Sequence, residues 1–373
     1  MTGELPQIKV ERVEIASCSL PLERPVTLGT VNVTTRDYIC LRVVTDTGIE
    51  GFAIGYKSGS LLFDSLARLA PQMIGHNVMM RQAFNLAAES SSVPARAFYV
   101  RALSLIDVAF WDIAAKAARI PLHAMLGGLR TEVAAMPVLG FSYTSRSTDE
   151  IRSEIDRHRA SGETLIKVMI KGDDALANSR YLSALVKELD DETRLAVDMH
   201  WSFRTIAEAY ETCSRIDDLG LAFVEDPFLP QQADLIGELR ARLKTPVAVG
   251  EDVLDPYGFA TLMPNVDILR IDATASGGIT AAMNALSLAS AFGRSAIPHV
   301  FPYLHLQLAC ANRAVRAVEY IPEHTGTDPV RKLLRGFPTI VNGKFQVSGR
   351  PGVGCDLDWQ VVGDNAEASR SFS

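Results

Sequence analysis

Nowhere in the 373 residues does an uncharged apolar run reach eighteen, which leaves no candidate for a membrane-spanning helix. The cysteines are few: Cys18, Cys40, Cys213, Cys310 and Cys355 are scattered, odd in number and without CxxC spacing. That excludes a disulfide framework or a thiolate metal site and reads as reduced thiols in a cytoplasmic protein. No long run of one charge occurs. Lys and Arg total 37 against 44 Asp and Glu, interspersed to a net −7, so a nucleic-acid partner is not expected. Glu4, Lys9, Glu11, Arg12 and Glu14 break up the first residues, and no secretory apolar segment is expected there. Low-complexity linkers are absent as well. The expected partner is a small molecule.

What is present is a rhythm. Asp198, Glu225 and Glu251 each close a short apolar run: LAVD, AFVE and VAVGE. They stand 27 and 26 residues apart, about one strand–helix unit each. Parallel barrel strands are buried on both faces and so read as continuous apolar runs. Further candidates fall in step: AAMPVLG (134–140), TLIKVM (164–169), DILRID (267–272), SAIPH (295–299) and AVEY (317–320), eight strands in all. Between them lie helical segments such as TDEIRSEIDRHRASG and GGITAAMNALSLASAFG. The fold class is therefore α/β, a (β/α) barrel of modified TIM type. A polar residue at the C-terminal end of a barrel strand faces the catalytic mouth. Three carboxylates converging there repel one another unless a hard cation neutralises them, which points to a Mg²⁺ cage of Asp198, Glu225 and Glu251.

Residues 1–130 make an α+β capping domain. Strand-like alternation over 8–56 is broken by the turn TDTG (45–48), and the long helix ARAFYVRALSLIDVAFWDIAAKAARI (95–120) ends at Pro121 and the Gly127–Gly128 pair. The barrel takes 131–345, and the turn-rich segment 346–373 is expected to pack back on the capping domain.

Residues i and i+2 of a strand share a face. Asp198 and His200 in VDMH should therefore point together, as should Lys167 and Met169 in IKVM. Asp272 and His299 end adjacent strands, and a carboxylate within reach of an imidazole fixes its tautomer and raises its basicity, giving a general base. Glu319 ends the eighth strand, placed to hydrogen-bond or protonate a substrate oxygen. Ser276–Gly277–Gly278 reads as a tight turn into a helix, with anion binding the weaker alternative. His76, His123, His158, His305 and His324 sit in no motif.

These motifs together resemble the enolase superfamily, and within it the mandelate racemase-like subgroup. RALSLIDVAFWDIAAKAARIPLHAMLGGL (101–129) is similar to that family's capping helix and its exit. VDMH, FVEDPF and VGED are similar to its metal-ligand strands, LRIDATASGGIT to its Asp strand, IPHVFP to its His strand and AVEY to its final Glu. The resemblance implies a substrate carboxylate on Mg²⁺, an α-proton taken by His299, and an enediolate stabilised by the metal with Glu319. It also implies closure of the mouth by capping loops near 20–35 and 51–60, where Arg24, Tyr56 and Lys57 offer polar contacts beside a rather apolar Leu22, Val26, Leu28, Val31 and Val33. The expected assembly is a homo-oligomer, from dimer to octamer.

Two departures bear on the reaction. Two-base racemases of this family usually carry Lys-x-Lys on the second strand. Here Met169 replaces the second Lys, while Lys167 remains to bind the substrate carboxylate. His200 stands where racemase-like members commonly have Asn, whereas some sugar-acid dehydratases, galactonate-type ones among them, have Asp-x-His here and use the His to protonate a departing 3-hydroxyl. The expectation is an acid-sugar dehydratase giving a 2-keto-3-deoxy acid. The alternatives are a racemase, epimerase or cycloisomerase of a hydroxy acid or sugar-acid lactone, and, less favoured, a non-catalytic scaffold.

Overall fold

The structure, a computed structural model, describes residues 6–28, 31–57, 61–91, 96–170 and 174–373. Strands β1 (Val10–Leu28), β2 (Val31–Thr45) and β3 (Glu50–Tyr56) form an antiparallel sheet. Gly48, at φ 76°, closes the β2–β3 turn and donates its N–H to the Thr45 carbonyl at 2.9 Å. The C-terminal strand Ala366–Phe372 returns to pair with β1, its Phe372 opposite Val13. Helix Arg96–Ala117 packs across the sheet through Leu105, Ala109 and Ile113, all fully buried.

Eight parallel strands follow: β4 (Glu132–Leu139), β5 (Leu165–Met169), β6 (Arg194–Asp198), β7 (Phe223–Glu225), β8 (Val247–Val249), β9 (Ile268–Ile271), β10 (Ser295–Pro298) and β11 (Ala317–Tyr320). Sequential neighbours pair from β4 to β10, and β11 pairs with β4. The ring is completed by a bridge between Ala296 and Val315. Met136, Ala196, Phe223, Ala248, Ile268, Ile297 and Ala317 fill the interior as one apolar layer. Val168, Val197, Val224, Val249 and Leu269 are buried on the helix side. Burial on both faces is why each strand reads as an unbroken apolar run.

The capping segments differ from the loops expected. Residues 20–35 are mostly the extended arms of β1 and β2, whose pairing runs out to Leu28 and Val31, with 29–30 outside the described residues. Residues 50–56 are strand β3, and 58–60 lie outside the described residues. The physical reason is the β-branched alternation in this stretch, which pairs across the hairpin and leaves little chain free as loop. Leu22, Val26 and Val33 of this arm pack against Val138, Phe141, Met169 and Ile321 at the barrel mouth, so the arm does cover it.

Candidate active site at the barrel mouth

A cavity of about 460 Å³ opens where the arm meets the C-terminal ends of the strands. Lys167, Met169, Asp198, His200, Glu251, Asp272, His299 and Glu319 all line it. Glu225 lies beneath, fully buried. Register explains the convergence, since Met169, Asp198 and Glu225 are successive partners across β5, β6 and β7. Six of the eight non-glycine residues with positive φ among those described follow barrel strands at this mouth: Ser142, His200, Trp201, Asp226, Val300 and Phe301. Such strain persists only where the surroundings enforce it. Gly250, at φ 140°, is obligatory in VAVGE because a Cβ there would lie 2.5 Å from the Arg270 carbonyl oxygen.

Strand alternation carries Lys167 and Met169 onto one face but does not carry Asp198 and His200. Strand β6 ends at Asp198, and His200 turns at φ 45°. His200 donates its backbone N–H to Asp198 Oδ1 at 2.9 Å, and its ring lies 4.2 Å from that of Trp201. His200 therefore faces the cavity through a strained turn.

His299 Nδ1 is 3.1 Å from Asp272 Oδ2, while Nε2 points toward Glu251 Oε1 at 3.7 Å. Asp272 Oδ1 accepts from the Thr274 N–H and hydroxyl, both at 2.7 Å. Burial works against the Asp272 charge, but His299 and these donors overcome it and hold the carboxyl at about 2. Burial likewise opposes protonation of His299, and the Glu251 and Asp272 carboxylates outweigh it, raising the ring to about 9. Asp272 thus orients the imidazole with Nδ1–H toward itself and Nε2 toward the cavity. A residue given no role from sequence braces this pair. Buried His305 donates Nδ1–H to the Val300 carbonyl at 2.6 Å and accepts the Ala273 N–H at Nε2, 3.0 Å. It is neutral, depressed by burial, and ties the chain after β9 to the chain after β10.

On the other side, the Lys167 ammonium meets Asp198 Oδ2 at 3.0 Å and Glu225 Oε1 and Glu319 Oε2 at 2.7 Å each. Burial disfavours its charge, but the three carboxylates raise it well above the ordinary lysine value, so it is a fixed cation. Burial also works against the Glu319 charge, and Arg270 and Lys167 outweigh it. Glu319 is accordingly an anion that accepts hydrogen bonds, which does not suit the proton-donor part of its expected role.

Five carboxylates crowd here: Asp198, Glu225, Asp226, Glu251 and Glu319, all buried apart from the part-exposed Glu251. The permanent cations among them are two, Lys167 and Arg270. Burial pushes Glu225 up to about 8 and raises Asp226 and Glu251, although Arg270 lies close. Glu225 Oε2, Asp226 Oδ1 and Glu251 Oε2 have no hydrogen-bond partner, and one oxygen from each of these residues lies within 4.8 Å of the others. Orphaned, buried carboxylate oxygens without thiolate or amide company suit a hard divalent cation. Asp226, missed from sequence, joins Glu225 and Glu251 in this group. Asp198 sits beside it, its two oxygens engaged by the His200 N–H and Lys167.

The three expected substrate contacts are dispersed. Tyr56 lines the cavity with its ring, 6.3 Å from that of His299, but its hydroxyl is committed to Asp328, as is that of Tyr38. Lys57 pairs with Glu367 on the C-terminal strand at 3.5 Å because β3 alternation turns it away. Arg24 lines a separate small cavity with Arg146 and Glu154. Arg36 and Arg101, unremarked in the sequence, line the main cavity instead. Arg36 donates Nε–H to the Thr327 carbonyl, and Arg101 pairs with Asp252 at 2.9 Å. The helix that the Ser276–Gly278 turn opens receives a carboxylate of the protein's own at its first turn. Asp107 of the capping helix accepts the Thr280 N–H at 2.9 Å and its hydroxyl at 2.8 Å, and a Cβ on Gly278 would collide with that carboxylate.

Fold and site together define a capped (β/α) barrel with a carboxylate cluster facing a His–Asp pair. The chain belongs to the mandelate racemase / muconate lactonizing enzyme family of the enolase superfamily. Residues 11–127 match its N-terminal domain and 150–361 the enolase C-terminal domain-like family. The chain is similar to the arabinonate dehydratase of Saccharolobus solfataricus, 28% identical over 69% of this chain and 70% of the relative. It is 25% identical to the L-talarate/galactarate dehydratase of Salmonella typhimurium, over 95% and 90% of the two chains. A solved structure of the Salmonella protein superposes with a TM-score of 0.90 at 23% identity, covering 100% of this chain and 97% of that one. The D-galactarolactone cycloisomerase of Agrobacterium fabrum is 29% identical over 70% of this chain and 73% of that protein.

Proposed function

We propose that this protein is a Mg²⁺-dependent acid-sugar dehydratase acting on a small carboxylate substrate. The observation that carries the reading is the Asp272-oriented His299, whose Nε2 lies 3.7 Å from Glu251, one of three clustered acids that each keep a buried oxygen without a hydrogen-bond partner. Glu225 and Glu251, with Asp198 beside them and Asp226 in the same group, would hold the metal. Bound Mg²⁺ would supply a Lewis acid where negative charge develops as the α-proton leaves.

The chain's own residues supply the rest. Lys167 holds Asp198, Glu225 and Glu319 together and adds its permanent charge to the field that attracts the substrate carboxylate. In its neutral form, with Nδ1–H held by Asp272, His299 takes the α-proton on Nε2, and the freed electron pair forms the Cα–Cβ double bond as the Cβ–O bond breaks. His200 gives its proton to the departing hydroxide, which leaves as water, and the enol product tautomerises to a 2-keto-3-deoxy acid. Met169 cannot exchange protons, and it sits in the apolar group with Val33, Val138 and Phe141. With Lys167 held as a cation by its carboxylates, the face opposite His299 has no second base on β5, which disfavours two-base racemisation.

The apolar wall and the cycloisomerase relative favour one second reading, a cycloisomerase of a sugar-acid lactone. A panel of sugar acids with Mg²⁺ separates the two. Dehydration of an open-chain acid gives a semicarbazide-reactive keto acid lighter than its substrate by one water, whereas a cycloisomerase acts on the lactone and gives a product of unchanged mass. In the dehydratase reading, His200→Asn loses elimination while retaining α-hydrogen exchange. Elimination at the wild-type rate in that variant would remove His200 from the mechanism.

A further inference from the structure

Arg270 is the largest fully buried side chain of the described residues. It sits in LRID, on a strand whose other residues are apolar and buried. Its Nη1 donates to the carbonyls of Ile297 at 2.8 Å and Pro298 at 3.4 Å, the two residues before His299. Its Nη2 donates to Glu319 Oε2 at 2.7 Å and lies 3.7 Å from Glu251 Oε2, and its Nε lies 3.1 Å from Glu225 Oε1. Burying a guanidinium is costly, and an apolar side chain of similar volume would fill the space with less penalty. Its position therefore needs an electrostatic reason.

We propose that Arg270 is a positioning residue that sets both the charge and the geometry of the metal cradle. Its planar fork ties Glu319 to the carbonyls that lead into His299, so the acid/base strand and the carboxylates share one anchor. Its permanent charge offsets part of the negative charge around Glu225 and Glu251. It therefore weakens the cradle's hold on a divalent cation while keeping the carboxylates in place. A lysine in its position would retain the charge and lose the fork.

The proposal rests on the divalent-cation reading of the cradle and is independent of the substrate. Mg²⁺ titration of the metal-free, full-length protein by calorimetry tests it without turnover. Arg270→Gln should bind Mg²⁺ at least about tenfold more tightly, because a unit charge a few ångströms from the ligands is removed. Arg270→Lys should bind it within about threefold of wild type. In both, kcat on an active substrate should fall about tenfold or more with KM little changed. If Arg270→Gln does not fold, Glu319→Gln and the double variant Arg270→Gln/Glu319→Gln replace it. Glu319→Gln alone should weaken Mg²⁺ binding, and the double variant should restore it. Unchanged or weaker binding in folded Arg270→Gln, or no restoration in the double variant, would overturn the role of Arg270. Failure of the wild type to bind Mg²⁺ would overturn the cradle itself.

Discussion

Two sets of buried carboxylates serve opposite ends in this molecule. At the seam between the capping helix and the barrel, Asp107 accepts from Asn85 and from the Thr280 N–H and hydroxyl. Asp112 of the same helix accepts the Val353 N–H at 2.9 Å, which ties the helix to the C-terminal segment, and pairs with Lys116 at 2.7 Å. Each of the four seam oxygens has a partner. At the mouth, Glu225, Asp226 and Glu251 each keep one buried oxygen with none. Burial opposes the charge in both places, and the difference lies in what answers it. Satisfied carboxylates hold the two halves together, and orphaned ones wait for a charge the chain does not supply.

The contrast breaks most sharply with Glu225→Gln. This variant should show no measurable turnover and a large loss of Mg²⁺ affinity by calorimetry. Its thermal midpoint should equal or exceed that of the metal-free wild type, since the amide oxygen still accepts from Lys167 while one of five crowded carboxylates is gone. A falling midpoint with intact Mg²⁺ binding would move Glu225 to the structural set.

His299→Asn tests the partner of the orphaned oxygens. Exchange of the substrate α-hydrogen in D₂O should fall by about 10²–10⁴, the usual range for a general base, with Mg²⁺ affinity retained. Asp272→Asn should lose most of the same exchange through the wrong tautomer. A loss under about tenfold would place the base elsewhere.

Metal removal should read the two sets differently. Saturating Mg²⁺ at about 100 times its dissociation constant should stabilise the wild type by about 2.7 kcal/mol. Asp107→Ala should gain as much from Mg²⁺, yet start lower by about 2–3 kcal/mol because the Thr280 N–H is left unpaired. Urea unfolding with and without Mg²⁺ gives both numbers.

The smallest effect is a pH dependence at the seam. Burial raises Asp107 to about 6, against hydrogen bonds that would lower it. A raised folded-state pKa gives stability that is complete below the unfolded value and is lost as pH climbs through about 6. Between pH 4.5 and 7.5 the wild type should therefore lose about 2 kcal/mol relative to Asp107→Asn. A constant difference across that range would show that Asp107 is ionised throughout.

Much of this was legible along the chain. Asp198, Glu225, Glu251, Asp272, His299 and Glu319 stand at strand ends, and strand ends are read from local apolar runs. Arg270 carried a signal that went unused: a charge inside a run buried on both faces must have partners nearby. Asp226 was hidden because only its left-handed backbone, φ 46°, turns a neighbouring acid toward the same space. Arg36, Arg101 and the commitments of Tyr56 and Lys57 were not legible. Arg101 reaches Asp252 across 151 residues, and no local pattern encodes such a meeting.

The sequence by itself determined the barrel, its period and the acids and bases delivered to its mouth, because alternation and burial act over a few residues at a time. The tertiary structure decided which of those groups find partners. Hydrogen-bond satisfaction and charge balance depend on distances between chain segments far apart in sequence. Those distances set Asp107 and Asp112 as struts, give Lys167 and Arg270 their opposing carboxylates, and leave the oxygens of Glu225, Asp226 and Glu251 open to a cation.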